Sequence, residues 1–119
     1  MVTVDPENAE SVMAMKRGLA FYCASPHYHP IADAAGFGEE ARRVYDLWQK
    51  RDFKGAAAAV SEAFVKKFSV HGGLPTRQAY LKWMKAEGCY PIVYPLPRHA
   101  NMVEDHFIAM RNMAEAGSW

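Results

Sequence analysis

The sequence predicts a mainly α-helical chain carrying a few short strands, and three observations lead there. Residues 1 to 67 place apolar side chains at helical spacing between recognisable start and stop signals. After Lys67 short β-prone runs alternate with helical stretches. Half of the 119 residues are apolar and 13% are aromatic, which is a folding composition rather than a disordered one. That length supports one domain with a modest core. Its expected parts are a mostly helical segment over 1–67 and a strand–helix–strand–helix segment over 68–119.

Val2-Thr3-Val4 reads as a short strand or a lead-in. Asp5-Pro6 is a helix start, with a capping carboxylate followed by a proline suited to the first helical position. Ala9, Val12, Met13, Leu19 and Ala20 then predict a helix from about Pro6 to about Cys23. Pro26 and Pro30 bracket a break, and a short helix over Ile31–Ala35 stops at Gly36. Gly38–Arg51 is a stronger helix, with Ala41, Val44, Tyr45 and Trp48 on one stripe. Asp52 caps a short alanine-rich helix, and Ser61–Lys67 continues in helical character, with Phe64 and Phe68 four apart.

Phe68-Ser69-Val70 is then expected as a strand and His71–Thr76 as a loop. A helix ending at Gly88 follows, with Tyr80, Trp83 and Met84 as its buried stripe. Tyr90–Pro95 is a second strand, limited to few ladder bonds by Pro91 and Pro95. A last helix, from about Asn101 to about Glu115, carries Val103, Phe107, Met110 and Ala114 along one face.

Charge excludes some functions. Fourteen basic against thirteen acidic residues leave a net charge of +1, which gives no electrostatic case for nucleic acid or an anionic membrane. No run approaches the ~20 apolar residues of a membrane span, and Met1–Glu7 lacks the basic-then-apolar pattern of a signal peptide. Cys23 and Cys89 are too few for a disulfide scaffold. A reduced, cytoplasmic chain is expected. His27 and His29 form an H-x-H pair without a usefully spaced third ligand, so no metal site is expected. No Ser sits in a nucleophile elbow, and Cys23 lies on a buried helix side, where a thiol is inert. Glu39-Glu40 and Glu104-Asp105 sit in first helical turns, where they complement the helix dipole. No catalytic residue is assigned.

The βαβα order of the second half calls for parallel strands covered on both faces, which two or three short strands cannot supply alone. At this point the chain resembles a family. Its blocks are Arg17-Gly18-Leu19-Ala20-Phe21-Tyr22, Ser25-Pro26-His27-Tyr28 and Ala35-Gly36-Phe37-Gly38-Glu39-Glu40. Asp52-Phe53-Lys54-Gly55-Ala56, Val60-Ser61-Glu62, Val70-His71-Gly72 and Pro91-Ile92-Val93-Tyr94-Pro95 follow. In order and spacing these are similar to the C-terminal third of the luciferase-like flavin- or deazaflavin-dependent monooxygenases.

The resemblance implies the last part of a TIM-type βα barrel, with Val2–Val4 as a late strand, a helical insertion, and two closing strand–helix units. The first five or so strands would be missing. It implies an oxidoreductase part in which FMN or a deazaflavin coenzyme carries the redox step on a small-molecule substrate in the assembled enzyme. No coenzyme is expected on this chain alone. A homo-oligomer, or a partner chain supplying the rest of the barrel, would complete it. Under this reading Tyr22, His27 and Tyr28 line the pocket. Gly72, Tyr94 and Arg98 stand at the ends of the last two strands, where barrel enzymes hold their functional groups.

Five of the candidates also have a plainer reading: aromatic packing for Tyr22 and Tyr28, a solvated loop for His27, a βα turn for Gly72, and a loop charge for Arg98. A second class of function stands beside the first, a non-catalytic helical oligomerisation or interaction module. Ile92, Val93 and Tyr94 discriminate between them. A barrel gives them strand neighbours on both sides, whereas a helical module lets them cross a helix surface as an extended segment. In neither case is the isolated chain expected to be a well-behaved monomer.

Overall fold

The computed structural model describes residues 8–70, 73–99 and 102–117, and seven α-helices lie among them. They are α1 (Ala9–Cys23), α2 (His29–Ala34), α3 (Gly38–Gln49), α4 (Phe53–Ala58), α5 (Glu62–Phe68), α6 (Leu74–Ala86) and α7 (Val103–Ala116). The chain divides into two compact units, Met15–Phe68 and Met1–Ala14 with Ser69–Trp119.

In the Met15–Phe68 unit, proline places the first break. A 3-10 turn, Pro26–Tyr28, follows α1, and Pro30 occupies the first turn of α2. His29 Nε2 donates to the carbonyl of Cys23 (2.9 Å), satisfying an acceptor that the end of α1 leaves open. Helices α2 and α3 each end with the same pair of backbone bonds. Gly36 and Phe37 donate to Asp33 and Ala32, and Arg51 and Asp52 donate to Trp48 and Leu47. Asp52 caps α4 by accepting from the Gly55 amide (2.9 Å), and Ser61 Oγ accepts from Phe64 N (3.1 Å) at the start of α5. Met15, Leu19, Val44, Val60, Phe64 and Val65 are buried in this unit, and Phe37 stacks on Phe64 at 4.8 Å.

Helix α1 buries the second half of the face the spacing suggested, with Leu19, Ala20 and Cys23, but not its first half. Ser11, Met15, Leu19 and Cys23, four apart, are buried, while Ala9 and Met13 are exposed. Val12 to Met15 are apolar all round the helix, so periodicity alone cannot choose a side.

The expected strands and the barrel built from them are overturned. Among the described residues there is no strand and no sheet, only one isolated bridge residue at Pro95. Phe68 completes α5, its ring 5.1 Å from Phe64, and Val70 is buried among Leu81, Ala109, Met113 and Ala116. Tyr90–Pro95 forms neither helix nor ladder. Pro91, Pro95 and Pro97 have no amide hydrogen to donate, and the Arg98 amide is engaged by a side chain, so few donors remain for a neighbouring strand. A strand–helix–strand–helix closure of a TIM-type barrel therefore does not form. The segment expected as a strand at Val2–Val4 lies outside the described residues.

The other unit is built on α6 packed against α7. Its core is Val70, Leu81, Ala109, Met113 and Ala116, with Val93 laid against them. Gly88, at φ 71°, closes α6 with the bond pair already seen after α2 and α3.

Candidate interaction surface

Tyr22 and Tyr28 meet edge to face, ring centres 5.0 Å apart. His27, between them in sequence, is exposed in the 3-10 turn, and Tyr28 is also exposed. The aromatic contacts extend from Tyr22 through Phe21 and Trp48 to Phe53, so this pair is one end of a run of packed rings. Gly72 lies outside the described residues. Tyr94 is exposed in the segment before α7, and Arg98 is half-buried at its end.

Arg98 is a structural tie. Asp105 Oδ2 accepts from the Arg98 amide (2.9 Å) and from Nε (3.0 Å), and Oδ1 accepts from Nη2 (2.9 Å). The fork matches guanidinium to carboxylate geometry. Asp105 is 1% exposed, and the hydrogen bond from Arg98 holds its carboxyl below the usual carboxylate range, although burial opposes this. Asp105 thus does more than complement the α7 dipole, the role its first-turn position suggested. The signal in the sequence was a lone arginine seven residues upstream, behind three prolines. Spacing of that kind does not identify an ion pair.

The tie fixes the segment over the α6–α7 core with alternating outcomes: Ile92 is 95% exposed, Val93 packs inward, and Tyr94 faces solvent. The two helices beneath it behave alike. The expected buried stripe of α6 is turned outward, with Trp83 at 56% exposure and Tyr80 also exposed, while Arg77 and Leu81 are buried instead. On α7 the face of Val103, Phe107, Met110 and Ala114 is exposed, and Asp105, Ala109, Met113 and Ala116 are buried. Each helix therefore has a core face and a second face rich in apolar side chains directed to solvent. Large apolar side chains are thus left exposed on both α6 and α7.

A recess beside the end of α6, lined by Lys85, Gly88, Cys89 and Tyr90, has a volume of about 190 Å³. Organic ligands occupy pockets of roughly 300–1,000 Å³, and a second, more open recess of about 370 Å³ at the start of α3 is lined mostly by charged residues, among them Asp33, Glu39, Glu40, Arg42 and Arg43. Among the described residues no cluster of three or more His, Cys, Asp or Glu is placed to hold a metal ion. No described helix is long and apolar enough to cross a membrane. The Cys23 thiol is buried, and burial, with Glu40 adding to it, pushes its pKa up to about 11. It is un-ionised near neutrality and no nucleophile.

No protein-family profile, curated protein or solved structure matches the chain.

Proposed function

We propose that the chain is a non-catalytic helical oligomerisation module. The fate of Ile92, Val93 and Tyr94 carries the reading. The segment crosses the α6–α7 surface, with Val93 on the core and its two neighbours in solvent, and no strand flanks it among the described residues. Apolar side chains are also exposed on α6 and α7, and covering them in an oligomer removes them from water at roughly 25 cal/mol per Å². The catalytic alternative needs a pocket for a flavin-type coenzyme completed by a second chain, and four of its candidate residues have other surroundings here. Tyr22 and Tyr28 pack on each other, Arg98 is taken up by Asp105, and Tyr94 is exposed.

The test is light scattering combined with an absorbance spectrum on the purified chain. A colourless species heavier than the monomer, dissociating on dilution, is the expected result. A monomer at every concentration overturns the reading. So does a bound flavin or deazaflavin spectrum, which instead favours a subunit of a coenzyme-dependent oxidoreductase.

A further inference from the structure

Helix α7 is apolar on two sides, and the exposed side has a defined repeat. Val103, Phe107, Met110 and Ala114 are separated by four, three and four residues. That is the a/d spacing of a coiled-coil seam, whose period of 3.5 keeps one line of side chains facing a partner helix. Val103 is 63% and Phe107 72% exposed, and Met110 and Ala114 are exposed with them. In heptad terms Val103 and Met110 take d, and Phe107 and Ala114 take a. Glu104 and Arg111 then both fall at e, His106 falls at g, and the buried Asp105, Ala109 and Met113 fall at f, c and g, which leaves the e flank as the open side of the seam.

The flanking charges choose the partner and its direction. In an antiparallel pair of identical helices, e faces e. With Phe107 layered on Met110 of the partner subunit and Val103 on the partner's Ala114, Glu104 comes beside the partner's Arg111, and two-fold symmetry repeats this pair. In a parallel pair, g faces e of the next heptad, so His106 would meet the partner's Arg111 and gain nothing. Arg111 is available for the contact, because its link to Glu115 is long (4.0 Å) and both side chains are largely exposed.

We propose that α7 is the self-association seam of this chain, pairing antiparallel with α7 of a second copy through Val103, Phe107, Met110 and Ala114. The proposal rests on the oligomerisation reading and adds which surface pairs and in which direction. Two heptads form a short seam, so the dissociation constant is expected between about 10 µM and 1 mM.

Sedimentation of the full chain across that range tests it, with circular dichroism as a check that each variant keeps its helix content. Phe107→Glu puts a charge in the seam at a site that is solvent-exposed in the single chain, and is expected to raise the dissociation constant at least tenfold. Arg111→Glu is expected to weaken association about threefold or more, by facing the partner's Glu104, and the double exchange Glu104→Arg with Arg111→Glu to recover most of it. Strengthening by Arg111→Glu alone would indicate parallel pairing and overturn the proposal. An oligomer unmoved by Phe107→Glu would also overturn it, while leaving the oligomerisation reading intact. A wild-type chain that is monomeric throughout would remove both.

Discussion

Arg51 stands at φ 62°, where a side chain crowds the backbone and glycine does not. It holds the same place after α3 that Gly36 holds after α2 and Gly88 after α6, and the same two backbone bonds close the turn, donated here by the Arg51 and Asp52 amides. Arg51→Gly is therefore expected to raise stability by about 0.5–1 kcal/mol, read as a higher denaturation midpoint in urea; a lower midpoint would show that the arginine side chain contributes more than its backbone costs. The two cysteines differ in environment. Cys89 is exposed and Cys23 is buried with its thiol pKa pushed up to about 11. A disulfide reagent at pH 8 is expected to titrate one thiol rapidly in the native protein and the second only after denaturant is added. Cys89→Ser should abolish the fast phase, and equal rates for both thiols would contradict the burial of Cys23.

At the scale of elements, the Arg98–Asp105 tie determines how the proline-rich segment meets α7. Its carboxyl is held below the ordinary range, so its contribution to stability is complete above about pH 4, the unfolded value. That contribution is lost as pH falls further, through the folded value. Asp105→Asn is expected to destabilise the chain by about 2 kcal/mol at pH 7, because the buried amide cannot satisfy the arginine fork. The gap between variant and wild type should narrow at pH 2.5 in paired urea titrations. A gap of equal size at both pH values would mean that the carboxylate charge is not what the tie depends on. Helix ends were legible in the sequence, because their signals are local: Asp52 ahead of the alanine run, Pro30, Gly36 and Gly88 each mark a boundary where the structure has one. The apolar face of α3, with Ala41 and Val44 buried, was legible for the same reason. Faces of α6, α7 and the first half of α1 were not, since each carries apolar residues on more than one side and only the neighbouring element decides which side is covered.

At the scale of the whole molecule, association and stability are linked. If α7 pairs with a second copy, the native state gains by mass action and the thermal midpoint rises with protein concentration. The midpoint of Phe107→Glu is expected to be flat over the same range, and a rising midpoint in that variant would place the association elsewhere. Of the candidate site, the sequence marked the aromatic pair Tyr22 and Tyr28, which do meet, but the role of Arg98 was hidden because its partner is identified by a fold contact rather than by a motif. The expected strands show the same limit. A β-prone run such as Pro91-Ile92-Val93-Tyr94 is a strand only when another backbone lies beside it, and no short run of residues encodes that neighbour. By itself, then, the sequence determined the helical character of the chain, its breaks and caps, and the a/d spacing on α7, all set by interactions within a few residues. The tertiary structure alone decided that Tyr90–Pro95 joins no sheet, that Asp105 is buried on Arg98, and which faces of α6 and α7 are left to solvent. Those outcomes depend on desolvation and packing between segments far apart in the chain, where several apolar faces compete for one core.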